Sequence, residues 1–388
     1  MSCGLMDFSP PLHGAGVELE FFIIPISTGF CNRTLLNDYS CYFRDIISDE
    51  KDVDGNIIKF SNLKCTISFE YSYSIVEFSF PPEENMIILH QKIYSEINRF
   101  KSFVHKGGGE LVATGYLPLE DHQIEIVKSP YYQMIYRYHE GNKSIAKICS
   151  CQTHIDYERD CLIKTINLFN QISWSNSILF SNSEYDGYRC YRDVIWEKSS
   201  HGREGTFVGV SRLFRDDSDF LMHEMKRPIF FVYRNGGVFS FAPIRFDEYL
   251  NKKDIVAMNF AGDSIIIIPQ IDDMQYLRSY SNVAFTRRRT IEIRSDCQQS
   301  YERMLLPVVY NWGVRLCYNE IEQLLQKEHF CEDCFLLRKL ASKSISSVYE
   351  TYPKAKKLII EILELLYEKF RKRNFGEEVF IEKIMQEN

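Results

Sequence analysis

The run Gly16-Val17-Glu18-Leu19-Glu20-Phe21-Phe22 alternates apolar and acidic side chains with a period of two. A strand imposes that period, because successive side chains leave a pleated backbone on opposite faces. Glu18 and Glu20 therefore share one face while Val17, Leu19 and Phe21 pack beneath. A strand with one wet and one dry face belongs to an antiparallel sheet rather than to a parallel sheet covered on both sides. Further β-rich runs cover Lys64 to Phe80, Ile145 to Tyr157, Pro228 to Tyr233, Ser264 to Ile268 and Arg287 to Ser295. Helical spacing covers Met86 to His105 and Asp160 to Phe180 between them, and Met304 to Gln326 and Lys354 to Arg373 after them. Strands first, helices between and helices last predict an α+β fold, an antiparallel sheet flanked by helices. No Pro-, Gly- or Ser-rich linker interrupts the chain, so one domain is expected over residues 1–388, with a helical part from about residue 300 to 388.

Composition narrows the function. A 388-residue chain that is 45% hydrophobic can bury a sizeable core. Its 46 basic and 53 acidic residues leave a net charge of −7, which argues against a surface that gathers nucleic acid by counterion release. Apolar runs such as Ile265 to Pro269 fall far short of the roughly 20 residues that cross a bilayer, so no membrane partner is expected. The first basic residue is Arg33, and the twelve cysteines follow no framework spacing. Both features point to a cytoplasmic protein with free thiols.

The chemistry-bearing residues sit on the strand patterns. Glu18 and Glu20 side by side fit either a solvated face or a site where divalent cations, which prefer hard oxygen ligands, lie between them. Glu77 is a single carboxylate in an otherwise apolar and aromatic run that ends at Pro81-Pro82. Such a group lies at an edge or is held by a cation. Glu70, seven residues earlier, falls on the opposite face of an unbroken strand, and only a turn or bulge brings both to one site. Gln152, His154 and Asp156 share a face, with Cys149 and Cys151 pointing into the core. His154 is either a metal or nucleotide contact or a satisfied surface group. In Thr286 to Asp296, Thr290, Glu292 and Arg294 line up on one face after Arg287-Arg288-Arg289. That pattern fits a phosphate- or carboxylate-binding fork or a simple cross-strand ion pair. Taken together, the polar faces carry what Mg²⁺ and a triphosphate require: oxygen ligands for the cations and guanidinium groups for the phosphates.

Five of these segments, in this order, resemble the glutamate–cysteine ligase superfamily, most of all its plant-type and actinobacterial branch and the related carboxylate–amine ligases. They are Gly16 to Glu20, Glu77 before its proline pair, Gln152 to Asp156, Leu179 to Ser183 followed by Arg192 to Trp196, and Thr290 to Asp296. Met225 to Val232 is similar to the family's short strand before the acceptor region, and the likeness spans roughly residues 14 to 325. The resemblance implies a glutamine-synthetase-like antiparallel sheet curled into a half funnel, and a single catalytic domain. It implies Mg²⁺ ions held by Glu18, Glu20, Glu77, His154 and Glu292, with Arg294 and Glu292 catalytic. Arg192, Arg287, Arg289, Gln152 and Trp196 would face substrate or ATP. The chain departs from the family pattern where Tyr71 to Val76 separate Glu70 from Glu77, and where Tyr131-Tyr132 stands in place of an Arg-Tyr pair.

The implied reaction is ATP-dependent formation of a γ-glutamyl amide through an acyl phosphate. Its leading substrates are L-glutamate and L-cysteine, giving γ-glutamylcysteine for glutathione biosynthesis. The alternatives are another amino acid or amine as acceptor in a specialised pathway, a phosphotransferase on the same kind of fold, and a non-catalytic nucleotide-binding relative. Other motifs carry less. Cys331-Glu332-Asp333-Cys334 after His329 lacks a second pair for zinc, and Gly107-Gly108-Gly109 lacks the lysine of a phosphate loop and reads as a loop after a helix. The basic end at Lys369 to Arg373 complements a helix dipole.

Overall fold

The computed structural model describes residues 14–158, 161–203, 207–278, 280–286, 288–328 and 334–387. The strands are β1 (Ala15–Pro25), β2 (Ser48–Lys51), β3 (Ile57–Ser61), β4 (Thr66–Glu70), β5 (Ser72–Glu83), β6 (Gly109–Val112) and β7 (Ser150–Ile155). There follow β8 (Val208–Gly209), β9 (Pro228–Arg234), β10 (Gly237–Arg245), β11 (Ile255–Met258), β12 (Ser264–Ile267), β13 (Tyr280–Ser281), β14 (Val283–Phe285) and β15 (Ile291–Cys297). Nine of them form one open sheet in the order β14-β15-β7-β1-β5-β4-β3-β2, with β6 pairing the far end of β1. Every ladder in it is antiparallel, as the alternation predicts. Strands β9 to β12 make a separate four-stranded sheet. Its β9–β10 hairpin turns on Asn235 and Gly236, whose positive φ values of 52° and 76° suit the twist of a two-residue loop.

The dry face of the large sheet carries the core. Val17, Leu19 and Phe21 of β1 and Val76, Phe78 and Phe80 of β5 pack against four helices: Met86–Gly107, Leu162–Phe180, Leu306–Leu316 and Ala355–Arg373. Phe21 is fully buried, edge-on to Phe78 at 6.1 Å and stacked on Tyr301 at 5.9 Å. Burying one such side chain contributes about 1.5–3 kcal/mol. The helix Met86–Gly107 starts where Asn85 accepts from the N–H groups of Ile87 and Ile88, and it stops at Gly108 in the left-handed region (φ 91°). It buries Met86, Leu89, Ile93, Ile97, Phe100 and Val104 and leaves Ile88 exposed.

Three boundaries differ from the sequence expectation. The run from Lys64 to Phe80 is broken at Tyr71, whose φ of 60° ends β4 and reverses the chain into β5. The run from Met304 is two helices, Leu306–Leu316 and Tyr318–Lys327, which meet at Cys317. The arginine-rich stretch is a turn: Thr286 N–H donates to the Thr290 carbonyl at 2.9 Å, and β15 begins only at Ile291.

All ten cysteines among the described residues are free, and Cys149 and Cys151 are fully buried. His329 and Cys331 lie outside the described residues; Cys334 opens the helix Cys334–Lys343. From that helix Arg338 reaches three separate segments. It pairs with Asp193 (Nε to Oδ2 2.7 Å) and donates to the Ser173 carbonyl at 2.6 Å and to the Ser295 carbonyl at 3.1 Å. Among the described residues no helix is long and apolar enough to cross a membrane.

Candidate active site

The wet face of the large sheet collects the acids because β1 lies at its centre. Glu20 stands opposite Glu77 of β5, and Glu18 opposite Ser79 on one side and Gln152 of β7 on the other. His154 lies between Gly16 of β1 and Glu292 of β15. A Cβ on Gly16 would come within 3.3 Å of the His154 Cβ, so glycine lets the imidazole sit over the ladder. Glu18, His154 and Glu292 each place a ligand atom so that all three lie within 4.8 Å of one another. His154 Nδ1 is held by Thr290 Oγ1 at 3.2 Å, leaving Nε2 3.3 Å from Glu18 Oε1. Fixing one ring nitrogen to orient the other is how metal-binding histidines are prepared.

A second group of carboxylates adjoins the first. Glu20 accepts from the Ser150 N–H at 2.6 Å and from Gln152 Nε2 at 2.9 Å. The register shift at Glu70 and the reversal at Tyr71 bring Glu70 to the same face, where the Tyr132 hydroxyl donates to it at 2.8 Å. Burial, followed by the charge of Glu20, pushes the Glu70 carboxyl up to about 7. Burial and then the charges of Glu18, Glu70 and Glu20 push Glu77 far above the usual carboxylate range. Glu20 is also raised, by burial, against the opposing charge of Arg192. Glu18 goes the other way: burial opposes, but His154, Arg288 and Arg294 together hold it down to about 2. Phe22, Ile75 and Cys149 close one end of this polar face with an apolar cluster.

Cations and aromatic rings line the other side. Arg294 pairs with Glu292 (Nε to Oε1 3.1 Å), and its guanidinium lies 5.4 Å from the Tyr280 ring centroid. Arg192 is buried, and its charge is felt at Glu20. Trp196 reaches the site only through Tyr280, 4.4 Å away between ring centroids. Arg287 lies outside the described residues. Arg289 is exposed in the turn with a φ of 60°, whereas Arg288 reaches in and pairs with Glu18 at 3.0 Å. Tyr280 is the part that sequence reasoning missed as a site residue; Arg288 and Tyr132 lay in segments it had singled out, without the partners Glu18 and Glu70 that they take here. Asp156 does not join the carboxylates and pairs instead with Arg315 at 3.5 Å.

The donor set fits a hard divalent cation. Buried oxygen ligands crowd together until their acids are raised, and His154 Nε2, 3.3 Å from Glu18 Oε1, lies beside them. Inserting positive charge relieves the repulsion that the carboxylates impose on one another.

No known family profile matches the chain. A chloroplastic glutamate–cysteine ligase of Nicotiana tabacum is 24% identical over 223 residues, covering 53% of this chain and 41% of that protein. The chain thus aligns with less than half the length of that relative. A solved glutamate–cysteine ligase from Francisella tularensis, in complex with AMP, superposes with a TM-score of 0.53 over 98% of this chain and 83% of that one, at 11% identity. A bifunctional glutathione synthetase from Pasteurella multocida overlaps 97% of this chain and 46% of that one at 12% identity, with a TM-score of 0.41 that carries no weight. The chain is thus similar in sequence to a glutamate–cysteine ligase over about half of its length, and it shares the fold of a solved one along nearly all of it.

Proposed function

We propose that this chain is an ATP-dependent carboxylate–amine ligase that joins the γ-carboxylate of L-glutamate to the amine of L-cysteine. The observation that carries the reading is the Glu18–His154–Glu292 group, with Glu20, Glu70 and Glu77 beside it and Arg294 paired to Glu292. A carboxylate is a poor acyl donor until one of its oxygens is phosphorylated. The reaction then runs in two displacements: the carboxylate takes the γ-phosphoryl group of ATP with loss of ADP, and the amine expels phosphate. Mg²⁺, held by Glu18, His154 and Glu292 and by Glu20, Glu70 and Glu77, would neutralise the phosphate charge.

The protein's own share is positioning and charge. Arg294 presents a fixed guanidinium beside the metal ligands, where the transferred phosphoryl group gains negative charge. Arg288 helps His154 to keep Glu18 ionised, and the charge of Arg192 offsets part of the burial that raises Glu20. The apolar end at Phe22, Ile75 and Cys149 excludes water, which would otherwise compete with the amine. No side chain needs to act as a nucleophile, so the buried cysteines have no place in the reaction. Cytoplasmic residence and a single catalytic domain belong to the same proposal.

Phosphate release from Mg·ATP, measured with glutamate and a panel of amines, tests the reading. Release that requires both glutamate and cysteine is the expected result. Release with glutamate and a different amine keeps the ligase and replaces the acceptor. A stable phosphorylated acid seen by mass spectrometry with no amide would identify a phosphotransferase instead.

A further inference from the structure

Arg278 precedes β13 by two residues and sits at the edge of the cation-lined side of the site. Its guanidinium lies 5.0 Å from the centroid of the Tyr131 ring and 5.4 Å from that of Phe231. Among the described residues it has neither an ion pair nor a hydrogen bond, and its Nε is buried without an acceptor. The titratable groups facing it are the neutral phenols of Tyr131, Tyr233 and Tyr280 and another cation, Arg294. Arg192, buried with its Nε also without an acceptor, shares this state, whereas Arg234 is paired with Asp273 at 2.7 Å and Arg227 with Glu224 at 2.5 Å.

A half-buried guanidinium with its Nε shut off from water and no counter-anion is costly, and ring faces offset only part of that cost. Its ordinary complement is a planar anion that meets the fork with two oxygens. The placement says which anion. Tyr131 packs edge-on against Tyr132 at 5.1 Å, and Tyr132 holds Glu70, so one pair of rings separates Arg278 from the metal-binding carboxylates. A lone arginine framed by two aromatic rings suits a single carboxylate, whereas a triphosphate needs several cations at once. We propose that Arg278, framed by Tyr131 and Phe231, binds the free, non-reacting carboxylate of an amino-acid substrate. The proposal rests on the ligase reading for the word substrate. It also accounts for the Tyr131-Tyr132 pair, since Arg278 brings a cation to Tyr131 from another segment of the chain.

That carboxylate belongs either to the donor or to the acceptor, and two matched probes separate them. Isoglutamine is glutamate with its α-carboxylate converted to an amide, and cysteamine is cysteine without its carboxylate. Binding to the full chain is measured by calorimetry for the standard L-amino acids, for these two analogues and for Mg·ATP. Wild type, Arg278→Gln and Arg278→Lys are compared, with the melting temperature of each variant as the folding check. The expected result is that Arg278→Gln weakens glutamate or cysteine by roughly 10- to 150-fold. The analogue lacking that carboxylate, and Mg·ATP, bind the variant as they bind wild type. Arg278→Lys keeps the charge without the fork and recovers part of the loss. If Arg278→Gln does not fold, the smaller loss in Arg278→Lys decides on the same contrast. Equal binding by wild type and variant overturns the proposal, as does an equal loss for the analogues or Mg·ATP, or a wild type that binds no amino acid. A wild type that turns over no ATP with any amine, while Arg278→Gln still loses amino-acid binding, sinks the ligase reading and leaves the carboxylate site standing.

Discussion

Glu20 and Glu77 stand directly opposite one another in the β1–β5 ladder, where like charges on facing side chains repel. Together with Glu70, they make the metal-free protein less stable as its acids ionise. In the folded chain Glu70 titrates at about 7 rather than at its usual 4.5, with Glu77 and Glu20 raised in the same direction. Between those values the native state holds protons that the unfolded chain has released, so stability falls as pH rises. In EDTA the melting temperature should be lower at pH 8 than at pH 5.5. Added Mg²⁺ should raise it more at pH 8, and Glu77→Gln should flatten the pH dependence. An equal Mg²⁺ effect at both pH values would count against competition between protons and metal.

Glu18→Gln and Glu292→Gln each remove an oxygen charge from the group that shares its ligand atoms with His154. Mg²⁺ affinity should fall by about 10- to 100-fold and ATP turnover by at least about 100-fold at fixed Mg²⁺. Partial rescue by higher Mg²⁺ would be seen in a metal titration of turnover. Full turnover in either variant would remove that residue from the metal site.

Arg294 acts in this scheme through the geometry of its fork as well as its charge. Arg294→Lys keeps the cation and loses the second donor direction, so kcat should drop by about 100-fold while the KM for Mg·ATP changes little. Arg294→Met should drop kcat further. A change confined to KM would make Arg294 a binding residue only.

The Asp193–Arg338 pair is buried on the arginine side, and Asp193 is held well below the usual range by Arg338 despite burial. Asp193→Ala strands that guanidinium and should destabilise the fold by roughly 3–5 kcal/mol in denaturant unfolding. Because Asp193 follows Arg192 in the same helix turn, substrate KM should rise in the folded variant as well.

Local alternation made much of this readable in advance. The faces of β1, β7 and β15 follow the period of two, and so Glu18, Glu20, Gln152, His154, Glu292 and Arg294 could each be placed on the polar face of its own strand, whereas their meeting on one side of a sheet depends on pairing between distant strands. Glu70 could not be assigned, because counting by twos holds only in an unbroken strand. The reversal depends on a tyrosine at φ 60°, a conformation that tyrosine gives no hint of in sequence. Tyr71 adopts it because its ring is taken into a cluster with Met134, Ile135 and Phe230, contacts far away in the chain. The three arginines show a similar limit. Their composition suggests anion binding, but only the turn decides that Arg288, exposed like Arg289, is the one that pairs with Glu18. Arg278 carried no pattern at all, since its meaning lies in two rings contributed by other segments.

Arg338 staples together stretches that lie far apart in the chain. Its guanidinium meets Asp193 in the helix Tyr191–Lys198, the Ser173 carbonyl, and the Ser295 carbonyl near the end of β15. The helix bearing Arg192 and the strand bearing Glu292 and Arg294 are thereby tied to one clasp, and cutting that single side chain would loosen both at once.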